Sequence, residues 1–363
     1  MKTFALRTGS ADAPFRLPNC PSNVMLDVTN CCNQACRFCY DGNSRTQTHP
    51  SIEQLNRIIE ALGRWGVREV LYLGGEPALH PDLIDMLRLG QRLGLTQRMV
   101  TNGSLLDQSR AREFVNLGVE VGVTLHSVDP KVHDMLAATP GSHTRAVKAI
   151  EKILASGGSL YIQYTLTRMN TESLSEFANW LRCQFGDAIR LIDMTRLVPQ
   201  GTVQPVISSF FPSSLDIWRA FIEIPLTQNL GFTVRTEAIP HCWVLRNAHH
   251  ASLSSEFAEL ICSAVRPCLM GVDQLAFSTD GRIKLCPCLP PFGDSILDVS
   301  PAALWEHDLT LNDRRNFRFL PPTCLNHQSG HMCKRFYQCM GGCRACGSEF
   351  GDIADPLISE STF

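Results

Sequence analysis

The sequence has no long apolar run and almost no excess of either charge. Its 33 Lys and Arg residues are balanced by 35 Asp and Glu residues, which leaves a formal net charge of −2 at pH 7. Without a basic excess, nucleic acid is not expected as a partner. No stretch approaches the ~20 apolar residues of a membrane span, and Arg7 interrupts the apolar residues at the N-terminus. We therefore expect a cytoplasmic protein with no membrane partner.

Cysteine is nearly absent from the middle of the chain, where only Cys183 and Cys242 lie between residues 40 and 261. The chain nevertheless has 16 cysteines, because four lie at 31–39 and nine lie between 262 and 346. The cytosol keeps thiols reduced, so two dense groups of cysteines indicate metal binding rather than disulfides. Cys183 falls in a helical pattern and is expected to be a small apolar filler.

From residue 23 to about 201, short apolar runs alternate with amphipathic stretches of helical period. This alternation predicts an α/β fold with a parallel sheet and right-handed crossovers, organised as a partial (β/α)6 barrel. The predicted strands are Val24–Thr29, Glu69–Leu73, Gln97–Thr101, Glu120–Leu125, Leu160–Thr167 and Arg190–Arg196. The predicted domains are an N-terminal extension (1–22), the barrel (23–201), a bridging segment (202–261) and a small cysteine-rich α+β domain (262–363).

Three cysteines follow the first predicted strand with the spacing C-x3-C-x2-C: Cys32, Cys36 and Cys39. Three thiolates on one loop can hold three irons of a cubane cluster and leave the fourth iron open to a small molecule. A register that starts at Cys31 gives C-x4-C-x2-C, as in plant-type ferredoxins, but lacks the distant fourth cysteine in a suitable fold. A zinc knuckle is the other alternative, although a closed zinc site needs four ligands.

The second predicted strand ends in Gly74-Gly75-Glu76-Pro77. Glycines allow the backbone to approach a ligand closely, and a carboxylate can receive an ammonium group. Active sites of parallel barrels lie at the carboxyl ends of the strands. Both motifs fall at such ends, so we expect them to lie together.

These motifs, with the aromatic Phe38 before Cys39, resemble those of the radical S-adenosylmethionine (SAM) enzymes. The resemblance implies that Cys32, Cys36 and Cys39 hold a four-iron four-sulfur cluster, and that the open iron chelates the amino and carboxylate groups of SAM. It also implies that Gly74, Gly75, Glu76 and Pro77 hold the amino group and that Phe38 packs by the adenine. Polar residues near other strand ends are further candidates for SAM contacts: Asn102, Ser127, Gln163 and Arg196. Each of these four also fits a turn or helix cap.

The C-terminal cysteines resemble the SPASM extension of radical SAM enzymes, which carries two auxiliary four-iron clusters. Asp280-Gly281 between alternating runs predicts a hairpin that ends at Cys286. By resemblance, the first auxiliary cluster uses Cys268, Cys286 and Cys343, with Cys262 or Cys288 as the fourth ligand. The second uses Cys324, Cys333, Cys339 and Cys346. Gly330 stands where the usual pattern has a cysteine. Structural zinc sites are the alternative.

The resemblance implies an enzyme that cleaves SAM reductively to a 5′-deoxyadenosyl radical and takes hydrogen from carbon. The expected substrate is a ribosomally synthesised peptide that is oxidised, cross-linked or otherwise joined. Because Cys32 comes so early, no N-terminal peptide-binding domain is expected, and a separate recognition protein is a candidate partner. The expected reductant is a flavodoxin or ferredoxin.

Two other functions stay open. A sugar or aminocyclitol could be the substrate of a dehydrogenase or an epimerase, with Cys242 or Cys288 donating hydrogen to the substrate radical. The chain could also be a non-enzymatic electron-transfer protein, but Gly74-Gly75-Glu76-Pro77 argues against it because such a protein does not need an amino-acid site.

Overall fold

The computed structural model describes residues 18–42, 48–171, 174–201 and 207–307, together with Arg335, Gly342, Cys343 and Leu357. The predicted ligands Cys324, Cys333, Cys339 and Cys346 lie outside the described residues. No helix in the described part of the chain is long and apolar enough to cross a membrane.

One sheet organises the fold, and eight of its strands run parallel in sequence order from β1 to β8. The strands are β1 (Asn23–Asp27), β2 (Glu69–Leu73), β3 (Thr96–Thr101), β4 (Val119–Thr124), β5 (Leu160–Leu166), β6 (Leu191–Arg196), β7 (Thr233–Glu237), β8 (Val265–Arg266), β9 (Gln274–Phe277), β10 (Arg282–Lys284) and β11 (Phe292–Ser295). The parallel α/β fold and all six predicted strands are confirmed.

The sheet extends further than predicted at both edges. Beyond β6, the strands β7 and β8 continue it in parallel. At the other edge β9 pairs in parallel with β1, with Asn23 opposite Gln274, and β10 and β11 follow antiparallel. The predicted hairpin at Asp280-Gly281 is therefore present as β9–β10, and it is part of the same sheet as the barrel strands.

Helices connect the strands, and several begin at side-chain caps that are readable in the sequence. The Ser51 hydroxyl accepts a hydrogen bond from the backbone N–H of Gln54, and Gly66 with φ 102° ends the same helix. The α-helices are α1 (Ile52–Trp65), α2 (Leu83–Arg92), α3 (Gln108–Asn116), α4 (Pro130–Ala137), α5 (Ser142–Ala155), α6 (Leu174–Phe185), α7 (Ile207–Phe210), α8 (Ser214–Phe221), α9 (Ile224–Asn229), α10 (His241–His250), α11 (Ser255–Ser263) and α12 (Pro301–His307).

The two faces of the sheet differ in chemistry. On the helix-covered face, alternate residues such as Val24, Met99, Ile162 and Val234 pack with helix side chains in one apolar core. The opposite face, which we call the inner face, carries the intervening residues. On β3–β7 these are mostly polar: Arg98, Glu120, Gly122, Tyr161, Gln163, Asp193, Thr195, Arg235 and Glu237. This alternation gives the sheet one apolar face and one mostly polar face.

Candidate active site

The cysteine loop follows β1 and is fixed from two sides. The backbone N–H of Gly75 donates to the Thr29 carbonyl at 2.7 Å, and that of Glu76 donates to the Cys31 carbonyl at 2.8 Å. On the other side, the N–H of Arg37 donates to the Leu136 carbonyl at 2.9 Å, at the end of α4. The loop therefore has a defined backbone position between the Gly-Gly-Glu-Pro turn and α4.

Exposure distinguishes the cysteines of this loop. Cys31 is only 8% exposed, whereas Cys32, Cys36 and Cys39 are half-buried. Because the Cys31 carbonyl also belongs to the junction with Glu76, Cys31 has a structural place in the loop. This arrangement favours Cys32, Cys36 and Cys39 as the ligand set.

Gly74 and Gly75 are required by the close approach of this loop. A Cβ atom on Gly74 would lie 2.1 Å from the Thr29 carbonyl oxygen, and one on Gly75 would lie 2.1 Å from the Cys31 carbonyl oxygen. Gly74 also has φ +128°, which L side chains rarely adopt. The two glycines thus allow the two motifs to touch.

Glu76 is buried and joins the ends of β2 and β3. Its Oε1 accepts hydrogen bonds from the Thr101 hydroxyl at 2.6 Å and the Ala78 N–H at 3.1 Å, and its Oε2 accepts one from the Asn102 N–H at 2.7 Å. Burial raises the pKa of this carboxyl above its ordinary value, although the three donors oppose the shift. A cationic partner would stabilise the charged form, which suits a carboxylate that receives an ammonium group.

Asn102 connects the end of β3 to the cysteine loop. Its side-chain N–H donates to Asn33 Oδ1 at 2.9 Å, and its Oδ1 accepts from the Ser104 N–H at 2.9 Å. Asn33 in turn donates to the Ser104 hydroxyl at 2.8 Å. The structure therefore brings Asn102 together with Glu76 and the cysteine loop, as expected of a residue that contacts the same ligand.

A row of three histidines lies beside Phe38, and sequence reasoning missed it. Phe38 meets His126 edge to face at 4.9 Å between ring centroids, His126 stacks on His133 at 5.4 Å, and His133 contacts His143 at 5.6 Å. His126 Nδ1 accepts from the Thr165 N–H, and His133 Nδ1 accepts from the His126 N–H. Both acceptor roles need unprotonated nitrogens.

Burial lowers the pKa of all three rings, and that of His133 falls to about 4, with His143 adding to the effect. The row is thus neutral near pH 7. The only signal in the sequence was His126 at the end of a strand, because His133 and His143 lie on two different helices.

The other strand-end candidates are more dispersed. The Ser127 hydroxyl accepts from the Asp129 N–H at 3.0 Å, and Asp129 caps α4, so Ser127 has the geometry of a turn residue. Gln163 lies on the inner face, where its amide donates to the Thr195 hydroxyl. Arg196 is the last residue of β6 and is 7% exposed.

The hairpin brings a second group of cysteines towards the first. The Cys286 and Cys288 side chains are hydrogen-bonded to each other, and this contact is the main cause that raises the pKa of Cys288. Cys343 is close enough to add to the rise. Burial is the main cause that raises the pKa of Tyr40, and the nearby Cys288 and Cys39 add to the rise. Tyr40, which adjoins Cys39, therefore lies in the same neighbourhood. By contrast, Cys262 on α11 is 3% exposed and packs in the apolar core.

Two cysteines of the middle of the chain are exposed. Cys183 on α6 was expected to be a small apolar filler, and this prediction is wrong because Cys183 is exposed. The buried side of α6 is formed by Leu174, Phe177, Ala178 and Leu181 instead. Cys242, the second residue of α10, is also exposed.

The donor set fits an iron–sulfur cluster better than an ion site. Three thiols on one backbone-fixed loop match what a cluster with one open iron needs. Within the described residues, no three His, Cys, Asp or Glu side chains are already arranged to hold a metal ion. The fit therefore rests on the donor chemistry and the loop.

Comparison with known proteins agrees with this site. The profile described as "Radical SAM superfamily" matches residues 26–182, which span both motifs. The chain is 21% identical over 361 residues to the PqqA peptide cyclase of Gluconobacter oxydans, covering 96% of this chain and 93% of that protein. It is 28% identical over 287 residues to a probable GTP 3′,8-cyclase of Sulfolobus acidocaldarius, covering 77% of this chain and 84% of that protein.

Solved structures share the fold. The crystal structure of Streptococcus suis SuiB bound to precursor peptide SuiA has a TM-score of 0.73 at 18% identity, covering 95% of this chain and 77% of that one. Native anSMEcpe with bound AdoMet and Cp18Cys peptide has a TM-score of 0.65 at 16% identity, covering 90% of each chain. Residues 26–182, which contain the cysteine loop joined to Gly-Gly-Glu-Pro at the strand ends, match the radical SAM superfamily.

Proposed function

We propose that the chain is a radical SAM enzyme that modifies a ribosomally synthesised peptide by taking hydrogen from carbon, which leads to oxidation, a cross-link or another new bond. The main support is the junction at which the Cys31 carbonyl accepts from the Glu76 N–H, because it holds the ligand loop against the amino-acid site. The peptide assignment is supported by the PqqA peptide cyclase relative, which matches nearly the whole chain.

In this proposal Cys32, Cys36 and Cys39 hold the SAM-binding cluster. When bound, the cluster and SAM together supply a 5′-deoxyadenosyl radical that removes hydrogen from an unactivated carbon. The chain's own contribution is to bind and orient SAM. The Glu76 carboxylate receives the ammonium group of SAM, and the Asn102 side chain holds the cysteine loop against the end of β3. The ring of Phe38, held edge-on by His126, provides an apolar surface for the adenine.

We assign Cys268, Cys286 and Cys343 to a first auxiliary cluster, and favour Cys288 over Cys262 as the fourth ligand. The contact between Cys286 and Cys288 and the nearby Cys343 support Cys288, whereas Cys262 packs among apolar side chains. The second auxiliary cluster, with Cys324, Cys333, Cys339 and Cys346, is proposed from the sequence alone. The division at residues 22, 201 and 261 is likewise a proposal.

The proposed partners are a precursor peptide, a flavodoxin or ferredoxin as reductant, and a separate peptide-recognition protein. The test is anaerobic reconstitution with SAM, reductant and precursor peptides encoded beside the gene, with and without any small neighbouring protein. We expect a peptide whose mass falls by the hydrogen removed. Turnover of a nucleotide, sugar or aminocyclitol with no peptide modified would contradict the proposal.

The same assay decides the hydrogen donors. If turnover is redox-neutral and Cys242→Ala converts it into an oxidation, Cys242 donates hydrogen in an epimerase reaction. The same result with Cys288→Ala assigns that role to Cys288 only if the variant keeps its full iron content, because Cys288 is also the favoured cluster ligand. If neither variant changes the product, the donor role is excluded for both.

A further inference from the structure

Glu237 occupies an unusual position at the end of β7. Val234 and Thr236 point to the helix-covered side and are buried, so Glu237 and Arg235 point to the inner face. The Glu237 side chain is exposed, although protein surrounds it densely enough to raise its pKa to about 7, with the Asp193 carboxylate adding to the effect of burial. The Glu237 carboxyl is therefore accessible from the inner face of the sheet.

The charged residues around Glu237 are largely occupied with one another. Arg235 forms an ion pair with Asp193, and Arg98 contacts Glu120 at 2.7 Å and Glu69 at 3.6 Å. Both guanidinium groups also lie over the ring of Tyr161, at 4.7 and 5.9 Å from its centroid.

Tyr161 is itself buried against Gly122, where a Cβ atom would lie 2.4 Å from the ring. These residues form a mostly polar layer that we call the inner floor: Glu69, Arg98, Glu120, Tyr161, Asp193 and Arg235.

At the end of β7, beyond the inner floor, the Glu237 side chain makes no hydrogen bond or ion pair with any of the described residues. Its register neighbour on β8 is Arg266, an exposed cation that lowers the Glu237 pKa without forming an ion pair. Together the inner floor, Glu237 and Arg266 contain four carboxylates and three guanidinium groups. Glu69, Glu120 and Asp193 each have a guanidinium partner, and within the described part of the chain the Glu237 side chain has none. The Gln163–Thr195 hydrogen bond lies on the same face, with Thr195 exposed.

From this geometry we infer that Glu237 is a substrate-binding residue that receives a cationic group, a guanidinium or an ammonium, of the substrate inside the barrel. This inference deepens the proposed function, since it assigns a lysine or arginine side chain to the part of the peptide that enters the interior. Glu237 stands at the carboxyl end of its strand, the edge where Glu76 follows β2, so the bound cation would lie on the same side of the sheet as the SAM site.

The first test needs no substrate. The reconstituted holoenzyme is labelled with carbodiimide and glycinamide, and the labelling rate of Glu237 is followed by peptide mass spectrometry. Methylguanidinium and methylurea have the same shape and differ in charge, so at equal ionic strength we expect only methylguanidinium to slow labelling, about fivefold. Asp294, an exposed carboxylate on β11, is the internal control. Equal protection by both compounds, or equal protection of Asp294, would overturn the inference.

Arg266→Gln supplies a matched control on the neighbouring strand. If Glu237 merely balances Arg266, methylguanidinium should protect Glu237 only in that variant, and the inference would be wrong. We expect protection in wild type and at least equal protection in Arg266→Gln.

A second test uses the modified precursor peptide. Its lysines are replaced by norleucine and its arginines by citrulline, one at a time. At one peptide position the replacement should raise the KM of the wild-type enzyme about tenfold, and the same replacement should leave the KM of the Glu237→Gln enzyme unchanged. Additive effects would contradict the assignment. If no peptide is modified at all, the proposed function fails while the labelling test still decides the role of Glu237.

Discussion

The ammonium group of Lys284 on β10 lies 2.8 Å from the Asp27 carboxylate at the end of β1, and both side chains are less than 10% exposed. These residues are 257 positions apart in the sequence. Their ion pair fixes the hairpin that carries Cys286 to the strand that leads into the first cysteine loop, and Lys284 also lies 5.8 Å from the centroid of the Tyr40 ring. The two groups of cysteines are thus linked by a buried charge pair.

Removing one partner of this pair should be costly. Burial already raises the pKa of Asp27 and Lys284 opposes that shift, so Lys284→Met leaves an uncompensated buried carboxyl. We expect a loss of about 3–5 kcal/mol in the free energy of unfolding, measured by anaerobic denaturant titration. Arg282→Met on the same strand removes an exposed pair with Asp280 and should cost less than about 1 kcal/mol. Equal losses in the two variants would mean that the buried pair stabilises the protein no more than the exposed pair does.

Gly201→Ala should damage the first cluster without touching a ligand. Gly201 has φ +64°, and a Cβ atom there would lie 2.2 Å from the Cys39 carbonyl oxygen and 2.4 Å from that of Tyr40. We expect the reconstituted variant to lose about four irons, measured against protein concentration. Gly186→Ala is the matched control, because its φ is +60° and no atom lies within 4 Å of the new Cβ. Normal iron content in both variants would contradict the role given to Gly201.

Glu76→Gln should weaken SAM binding at least about tenfold, which corresponds to about 1.4 kcal/mol, while iron content stays normal. The amide keeps the shape of the side chain but loses the charge, and its NH2 group faces one of the three donors that now point at the carboxylate. Equilibrium binding of SAM to the reconstituted protein measures the effect. Unchanged affinity would remove Glu76 from the SAM site.

The histidine row should make the protein sensitive to acid. A histidine whose folded pKa lies below its unfolded value binds fewer protons when folded, so its stabilising effect is complete above pH 6.5 and is lost as pH falls from there. For His133, with a folded pKa of about 4, the loss approaches about 1.4 kcal/mol per pH unit between pH 6 and 5. His133→Asn keeps an acceptor for the His126 N–H and should show a shallower decline than wild type. Parallel pH profiles of unfolding free energy would show that the row does not carry this linkage.

Local patterns were enough to predict the core of the fold. The six strands and the hairpin were readable because alternating or continuous apolar runs ended at polar or turn residues, such as Gly74 after β2 and Asn102 after β3, and helix α1 carries its cap at Ser51. The two motifs also lie together as predicted, because parallel strands place their carboxyl ends at one edge.

Long-range pairing was not readable. The short strand β8 has two residues and no periodicity, and the parallel pairing of β9 with β1 joins segments 251 positions apart at Ser22 and Asp273. Helix α4, which anchors the cysteine loop, was missed because eight residues leave a weak pattern. The histidine row was missed because His133 and His143 lie on two different helices. Glu237 was missed because its proposed role depends on which distant side chains are already paired with one another.

The most direct test of the central claim is the iron content and SAM cleavage of the anaerobically reconstituted protein, compared with the triple variant in which Cys32, Cys36 and Cys39 are alanine. With three four-iron clusters we expect about twelve irons in wild type and about eight in the variant, and 5′-deoxyadenosine should form only with wild type. A protein that takes up zinc without charge-transfer absorption, or a triple variant that still cleaves SAM, would contradict the account.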